Sequence, residues 1–251
     1  MIVIKFGGHA MGSDPAWMRE IAELFQQGKK FVIVHGGGPQ IDLQLKTEGI
    51  VSAFKGGFRI TTPEVMKVVE SVLTGTVLRS VVRSLIAVGL PAVGITGSDA
   101  KLLEVTLKDD GALGLVGEVA RVNPEILNNL LEGGFIPVVA PVSNDATGKA
   151  LNVNADLAAG ALAGALRAEE MLFMTDVPGI YQNWPDKDSL ISEISISELA
   201  KMQFADGMVP KVAAAINAIE SGAKSVRVID GKSLEAFHAA LAGKGGTWVR
   251  N

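Results

Sequence analysis

The nine residues FVIVHGGGP, at positions 31–39, decide the fold class of this chain. Four consecutive apolar residues, three of them β-branched, are typical of a strand that is buried on both faces of a parallel sheet. Three glycines and a proline follow at once, and this composition predicts a tight turn that leads into a helix. A strand, a glycine-rich turn and a helix in this order form the repeating unit of an open α/β sheet.

The same unit recurs along the chain. Helix candidates with a proline near the start and a glycine after the end cover residues 16–27, 63–88 and 124–133. Short apolar runs that predict strands lie at 2–6, 31–34, 92–96, 135–142, 171–175 and 225–229. This alternation predicts an α/β protein with an open, mainly parallel sheet and helices on both faces.

Three stretches depart from the alternation. Residues 101–121 carry short alternating runs around Asp109-Asp110-Gly111, which predicts a hairpin, and the glycine-containing stretch at 49–60 is predicted as a loop or a hairpin. Residues 143–150 form a polar turn cluster, where we place a boundary between two lobes. We therefore predict a single domain over 1–251, with an N-terminal lobe at 1–150 and a C-terminal lobe at 151–251.

The composition of the 251 residues excludes several classes of protein. With no cysteine, the chain has no disulfide, no thiolate nucleophile and no zinc–thiolate site. The three histidines are too few and too scattered to predict a metal cluster. The formal net charge of −4 argues against nucleic acid as the main partner, because nucleic-acid binding needs a basic face.

The hydropathy pattern predicts neither a membrane span nor a signal peptide. The longest uncharged stretch, at 84–98, has 15 residues and contains three glycines and a proline, so it is too short and too broken to cross a bilayer. The N-terminus lacks a basic segment and a small-residue cleavage site. We expect a cytoplasmic protein without membrane partners.

The glycine-rich turns are candidate ligand sites. The first predicted strand ends in Lys5-Phe6-Gly7-Gly8, which places a cation beside bare backbone N–H groups at the ligand-binding edge of an open α/β sheet. The glycines at 36–38 precede a helix whose N-terminal N–H groups attract an anion. Neither turn has Walker or Rossmann spacing. The first turn also fits an ordinary tight turn with a surface lysine, and that alternative stays open.

Charged side chains occur near other predicted element ends. Arg59 can bind a carboxylate through two hydrogen bonds, although an isolated arginine is also typical of a solvated surface. Asp156 lies at a helix start, where Asn154 fits a cap and the aspartate fits the helix dipole as well as a cleft. Lys211 in a first helical turn opposes the dipole, which indicates a nearby anion. Asp176 follows a buried strand. Together these features predict a polyanion site.

The motifs taken together resemble the amino acid kinase superfamily, and within it the kinases of N-acetyl-L-glutamate. The resemblance extends from Lys5 to Arg250. The matching motifs are Lys5-Phe6-Gly7-Gly8, His35-Gly36-Gly37-Gly38, Gly57-Phe58-Arg59-Ile60-Thr61, Asn152-Val153-Asn154-Ala155-Asp156, Asp176-Val177-Pro178-Gly179-Ile180 and Gly207-Met208-Val209-Pro210-Lys211.

The resemblance implies phosphoryl transfer from ATP with Mg²⁺ to the side-chain carboxylate of N-acetyl-L-glutamate, in arginine biosynthesis. The implied fold is a three-layer αβα sandwich. The N-terminal lobe would bind the amino acid and form the dimer contact, and the C-terminal lobe would bind the nucleotide. Arginine-inhibited family members carry an extra N-terminal helix that builds a hexamer. Because this chain begins almost at its first strand, we expect a homodimer without that form of feedback.

Three sets of site residues follow from the resemblance. The catalytic set would neutralise and align the transferring group, with the aspartate holding both lysines: Lys5, Asp156 and Lys211. The substrate set would offer backbone N–H groups, a guanidinium and an amide: Gly37, Gly38, Arg59 and Asn152. The nucleotide set would border ATP: Gly7, Gly8, Asp176, Val177, Gly179, Gly207 and Met208. No dedicated metal ligands are implied, because Mg²⁺ can bind the ATP phosphates and water.

Phosphoryl transfer to a carboxylate does not need a catalytic histidine, which is consistent with the small number of histidines in the chain. A γ-carboxylate, with a pKa of about 4.3, is already ionised at neutral pH and needs no general base. The reaction instead needs charge neutralisation and alignment between two anions. One departure from the family pattern is Phe58, where a leucine or methionine is familiar, and it bears on side-chain specificity.

Two alternatives stay open at this point. A related kinase could act on glutamate or aminoadipate attached to a small acidic carrier protein, which would need a basic surface near the pocket. The stretch around Lys55 and Arg59 is poor in such residues. A non-catalytic sensor could also keep the pocket, although it would have no need for Lys5, Asp156 and Lys211 together.

Overall fold

The structure, a computed structural model, describes residues 1–7, 16–204 and 207–251. The strands, numbered in chain order, are β1 (Ile2–Phe6), β2 (Phe31–His35), β3 (Phe54–Lys55), β4 (Phe58–Arg59), β5 (Ala92–Thr96), β6 (Leu103–Leu107), β7 (Val116–Val122), β8 (Ile136–Ala140), β9 (Val142–Asn144), β10 (Ala150–Val153), β11 (Glu170–Thr175), β12 (Glu193–Ser195), β13 (Val226–Asp230) and β14 (Thr247–Arg250). The α-helices are α1 (Ala16–Gln26), α2 (Gly38–Thr47), α3 (Pro63–Glu70), α4 (Leu78–Ala87), α5 (Glu125–Glu132), α6 (Ala155–Ala165), α7 (Ile196–Leu199), α8 (Val209–Glu220) and α9 (Leu234–Leu241).

The central sheet has eight strands in the order β12-β14-β13-β11-β1-β2-β8-β5. Neighbouring strands are parallel except for β13 and β14. This confirms the predicted mainly parallel sheet. The predicted run at 135–142 is divided, because β8 ends before Pro141 and β9 begins after it in another sheet.

Helices cover both faces of the sheet, as a three-layer αβα sandwich requires. Ile4 and Phe6 of β1 pack in one hydrophobic core with α1, α3, α4 and α9. Val3, which points the opposite way because side chains alternate along a strand, packs in a second core with α5, α6 and α8. Lys5 shares the orientation of Val3, so its side chain rises on the face covered by α6.

Both predicted hairpins are present. β6 and β7 pair antiparallel within a second sheet of order β6-β7-β10-β9. β3 and β4 pair antiparallel across Gly56 and Gly57, whose φ angles of 58° and 81° lie in the left-handed region that favours glycine. The polar cluster at 143–150 contains the turn between the antiparallel strands β9 and β10.

The helix predicted over 63–88 has the expected extent but not uniform geometry. A π-helical segment, Ser71–Val77, separates α3 from α4. The hydroxyl of Thr62 caps the N-terminus by accepting a hydrogen bond from the Val65 N–H, as the threonine–proline start predicts. None of the helices in the described ranges is long and apolar enough to span a bilayer.

Candidate functional site

A cavity of about 310 Å³ lies at the carboxyl ends of β1, β2 and β11, the edge where open α/β sheets bind ligands. It brings together residues that are distant in the sequence. The predicted site residues in its lining are Lys5, Gly7, Gly37, Gly38, Arg59, Asn152, Asp156, Asp176 and Lys211.

The buried carboxylate of Asp156 joins the two predicted lysines. Lys5 Nζ lies 2.8 Å from Oδ1 as an ion pair, and Lys211 Nζ donates a hydrogen bond to Oδ2 at 3.0 Å. The Asn154 side chain caps α6 by accepting hydrogen bonds from the N–H groups of Asp156 and Leu157, so the capping interpretation is correct for Asn154. The cap fixes the first turn of the helix and thereby the position of the carboxylate.

The charges of this cluster do not cancel. Burial raises the pKa of Asp156, but the nearby ammonium groups of Lys5 and Lys211 outweigh burial and hold the pKa below its usual value. Burial lowers the pKa of Lys211, and Asp156 opposes that effect. Two ammonium groups share one carboxylate, so these three side chains carry an excess positive charge when ionised, which the Asp176 carboxylate at the same cavity partly offsets. An anionic ligand would compensate that charge.

Arg59, on β4, is buried among polar partners. Its Nη1 lies 2.7 Å from Asp42 Oδ1 and donates to Ser52 Oγ at 2.9 Å. Its Nη2 donates to the Gly38 carbonyl at 3.5 Å, and the guanidinium stacks 4.5 Å from the Phe54 ring centre. Among the described residues Nε has no hydrogen-bond partner. The Nε atom therefore remains available to a carboxylate.

The glycine turn after β2 is packed on one side and open on the other. A Cβ at Gly37 would lie 2.6 Å from Leu73 Cδ2, whereas a Cβ at Gly38 would meet nothing within 4 Å. Gly38 begins α2, so the turn also presents the unpaired N–H groups of a helix N-terminus.

His35 precedes this turn and is fully buried. Its Nδ1 bonds the carbonyl of Gly36 at 2.9 Å, while Nε2 has no partner among the described residues. Burial lowers the pKa of His35 to about 4. The imidazole is therefore neutral at neutral pH and adds no charge to the site.

Asn152, on β10, reaches the cavity from the second sheet. Its Nδ2 donates to Thr61 Oγ1 at 3.1 Å, and Thr61 Oγ1 donates in turn to the carbonyl of Arg59 at 2.9 Å. This chain of bonds ties the predicted amide to the backbone of Arg59.

Only some of the residues that are predicted to bind the nucleotide lie at the cavity. Gly7 and Asp176 line it, but Val177, Gly179, Gly207 and Met208 lie outside its lining. Gly179 is buried where a Cβ would lie 2.5 Å from Thr247 Oγ1, so the glycine permits close packing there. Gly8 and His9 lie outside the described residues.

Sequence reasoning missed Asp42, Ser52 and Leu73, which contact the predicted residues from α2, a loop and the π-helical segment. No local motif marks them, because only the folded chain brings Asp42 and Ser52 to Arg59 and brings Leu73 to Gly37. In the described ranges, no three acidic or histidine side chains are grouped so as to hold a metal ion.

Comparison with known proteins identifies the family. A sequence model described as the amino acid kinase family matches residues 1–230. The chain belongs to the amino acid kinase family. The matched region contains every motif quoted for the resemblance, so the family prediction is confirmed.

Individual members of the family are similar in sequence to this chain over most of its length. It is 47% identical over 243 residues to the acetylglutamate kinase of Mycolicibacterium vanbaalenii, covering 92% of this chain and 84% of that one. It is 45% identical over 264 residues to the acetylglutamate kinase of an Arthrobacter species, covering 96% and 85%.

Solved structures support the fold. The crystal structure of smu.665 from Streptococcus mutans aligns with a TM-score of 0.87 at 26% identity, covering 99% of this chain and 98% of that chain. Carbamate kinase from Giardia lamblia bound to AMP-PNP aligns with a TM-score of 0.73 at 22% identity, covering 100% and 98%. The predicted amino acid kinase fold is confirmed.

Proposed function

We propose that this kinase transfers a phosphoryl group from ATP to the γ-carboxylate of N-acetyl-L-glutamate, forming an acyl phosphate in arginine biosynthesis. The observation that carries the proposal is Asp156 bridging Lys5 and Lys211 beside a cavity that also contains Arg59. The relatives at 45–47% identity, which are acetylglutamate kinases, support the choice of substrate.

The lysine pair would supply the electrostatic part of catalysis. Both reactants are anions, so their approach must be stabilised by positive charge aligned with the transferring group. Lys5 and Lys211 lie on opposite oxygens of one carboxylate, 2.8 Å and 3.0 Å away, which fixes their spacing. Asp156 would hold the lysines rather than act as a base, because the γ-carboxylate arrives ionised.

The remaining contacts would orient the amino acid. The free Nε edge of Arg59 would bind the α-carboxylate, and Asn152 would add an amide contact. The N–H groups at Gly37 and Gly38 would bind substrate from the glycine turn. Gly7, Gly8 and the segments 176–179 and 207–208 would border the nucleotide in the C-terminal lobe.

Mg²⁺ would enter the site as the ATP complex. Asp156 is engaged by two lysines, and the described residues offer no group of three carboxylates or histidines, so the ATP phosphates and water would supply most of the ligands. We also propose a cytoplasmic homodimer, in which the N-terminal lobe, residues 1–150, forms the dimer contact.

A hydroxylamine-trapping assay tests the function. Purified protein with MgATP, N-acetyl-L-glutamate and hydroxylamine should give an acyl-hydroxamate. Turnover of a carrier-protein conjugate of glutamate or aminoadipate, but not of N-acetyl-L-glutamate, would contradict the substrate. ATP binding without turnover of either substrate would indicate a sensor.

A further inference from the structure

The π-helical segment Ser71–Val77 lies beside the cavity. Ser71 Oγ donates to the carbonyls of Lys67 and Val68 at 3.0 and 3.1 Å, and Thr74 Oγ1 donates to the carbonyl of Glu70 at 2.8 Å. Such hydroxyl-to-carbonyl bonds stabilise local departures from α-helical geometry. Single π-helical turns within α-helices occur frequently at functional sites, so the side chains that this segment places in the cavity are of interest.

Leu73 is the residue of this segment that reaches the cavity. Its side chain is 3% exposed and forms part of the lining. Its Cδ2 methyl lies against Gly37, 2.6 Å from where a Cβ would stand, with Val77 Cγ2 at 3.3 Å behind the same position. Leu73 therefore forms an apolar wall next to the glycine turn.

This wall lies close to Arg59, the residue that is predicted to bind the carboxylate of the substrate. Arg59 Nη2 contacts the carbonyl of Gly38, while Leu73 contacts Gly37, so the two side chains meet consecutive residues of one turn. In an N-acyl amino acid, the first acyl carbon beyond the carbonyl stands about 3.8 Å from the α-carbon, as a neighbouring Cα does across a trans peptide. A carboxylate held by Arg59 thus keeps the acyl group within a short distance of this turn.

We propose that Leu73 sets the length of N-acyl group that the enzyme accepts, by closing the cavity beyond a two-carbon acyl chain. The inference rests on the proposed function and deepens it. An additional methylene would have to displace a buried leucine, and packed interiors resist such insertion. A pocket discriminates one methylene by about 10–200-fold.

Leu73→Ala tests the proposal through a ratio of specificities. The measurement is kcat/KM for N-propionyl-L-glutamate divided by kcat/KM for N-acetyl-L-glutamate. We expect Leu73→Ala to raise this ratio at least about tenfold. Leu73→Val, which removes one carbon, should raise it less and remains informative if the alanine variant does not fold.

The control is Val72→Ala in the same π-helical segment, because Val72 is 6% exposed but does not line the cavity. It should lose stability without changing the ratio. An unchanged specificity ratio in both Leu73 variants, or an equal rise of the ratio in Val72→Ala, would overturn the inference about Leu73 and leave the proposed function standing. Failure of the unmodified enzyme to phosphorylate N-acetyl-L-glutamate would overturn the proposed function and this inference with it.

Discussion

Asp42 Oδ1 lies 2.7 Å from Nη1 of Arg59, so the guanidinium proposed to bind substrate already has a carboxylate partner in the protein. The arginine side chain is 5% exposed, whereas that of Asp42 is 56% exposed. Asp42 and Ser52 occupy Nη1 and the Gly38 carbonyl accepts from Nη2, whereas Nε has no hydrogen-bond partner among the described residues. Asp42 thus compensates a buried charge without covering the edge that would meet the substrate.

Asp42→Asn should lower the stability of the ligand-free enzyme and increase its stabilisation by substrate. Loss of the partner leaves a buried guanidinium without a counter-charge, at a cost of about 1–2 kcal/mol, less than for a fully buried pair because Asp42 is half exposed. The substrate carboxylate would then supply the missing charge. Thermal unfolding with and without N-acetyl-L-glutamate measures both effects. Glu48→Gln, at the exposed end of α2, is the control, and an equal substrate-induced shift in both variants would refute the prediction.

Lys211→Ala should lower turnover far more than stability. Removing one positioned donor to a transferring group costs roughly 10²–10³ in kcat. The variant also removes a buried ammonium whose pKa is already lowered by burial, which limits the loss of folding free energy. The measurements are kcat and urea unfolding for Lys211→Ala and for the exposed control Lys30→Ala. They show whether turnover falls more than stability. Parallel losses of rate and stability would contradict the proposed role.

The family resemblance predicted the cluster of Lys5, Asp156 and Lys211. The pattern of residue types alone predicted only part of this cluster. Lys211 in a first helical turn indicated an anion, and Lys5 at a strand end indicated the ligand edge. The strand and hairpin predictions succeeded because alternation of apolar runs and glycine turns is local information. The partners Asp42 and Leu73 could not be predicted, since their roles depend on how α2 and a π-helical segment pack around β4 and Gly37. No local pattern encodes that packing.

Asp156→Asn should move the alkaline loss of activity to lower pH. The proposed role of Lys211 needs its ammonium form, so activity should be present below the pKa of Lys211 and be lost as pH rises through it. Burial lowers this pKa, and the Asp156 carboxylate opposes the shift. Without that carboxylate, the pKa falls further and the ammonium is lost earlier. kcat profiles from pH 6 to 10 for both proteins would show the displacement, and coinciding alkaline limbs would exclude it.

His35→Gln should weaken the acid sensitivity of folding. The pKa of His35 is about 4 in the folded protein and 6.5 ordinarily, so the unfolded chain binds the proton more tightly. Stability is therefore complete above pH 6.5 and decreases as pH falls toward 4, by about 3 kcal/mol from this group. Urea unfolding at several pH values should show a shallower decrease for His35→Gln than for the unmodified protein. An equally steep decrease in both proteins would contradict the prediction.

Alanine substitutions at Gly37 and Gly38, in the glycine turn after β2, should separate an effect on packing from an effect on substrate binding. At Gly37 the new Cβ would overlap Leu73 Cδ2 at 2.6 Å, so Gly37→Ala should destabilise the fold by about 1–3 kcal/mol as the neighbouring side chains shift. At Gly38 no atom lies within 4 Å of a Cβ, so Gly38→Ala should keep the melting temperature. Because Gly38 lines the cavity, the Gly38 methyl should instead raise KM for N-acetyl-L-glutamate while KM for ATP stays unchanged. A Gly38→Ala enzyme with normal KM for both substrates would show that the amino acid does not approach this turn.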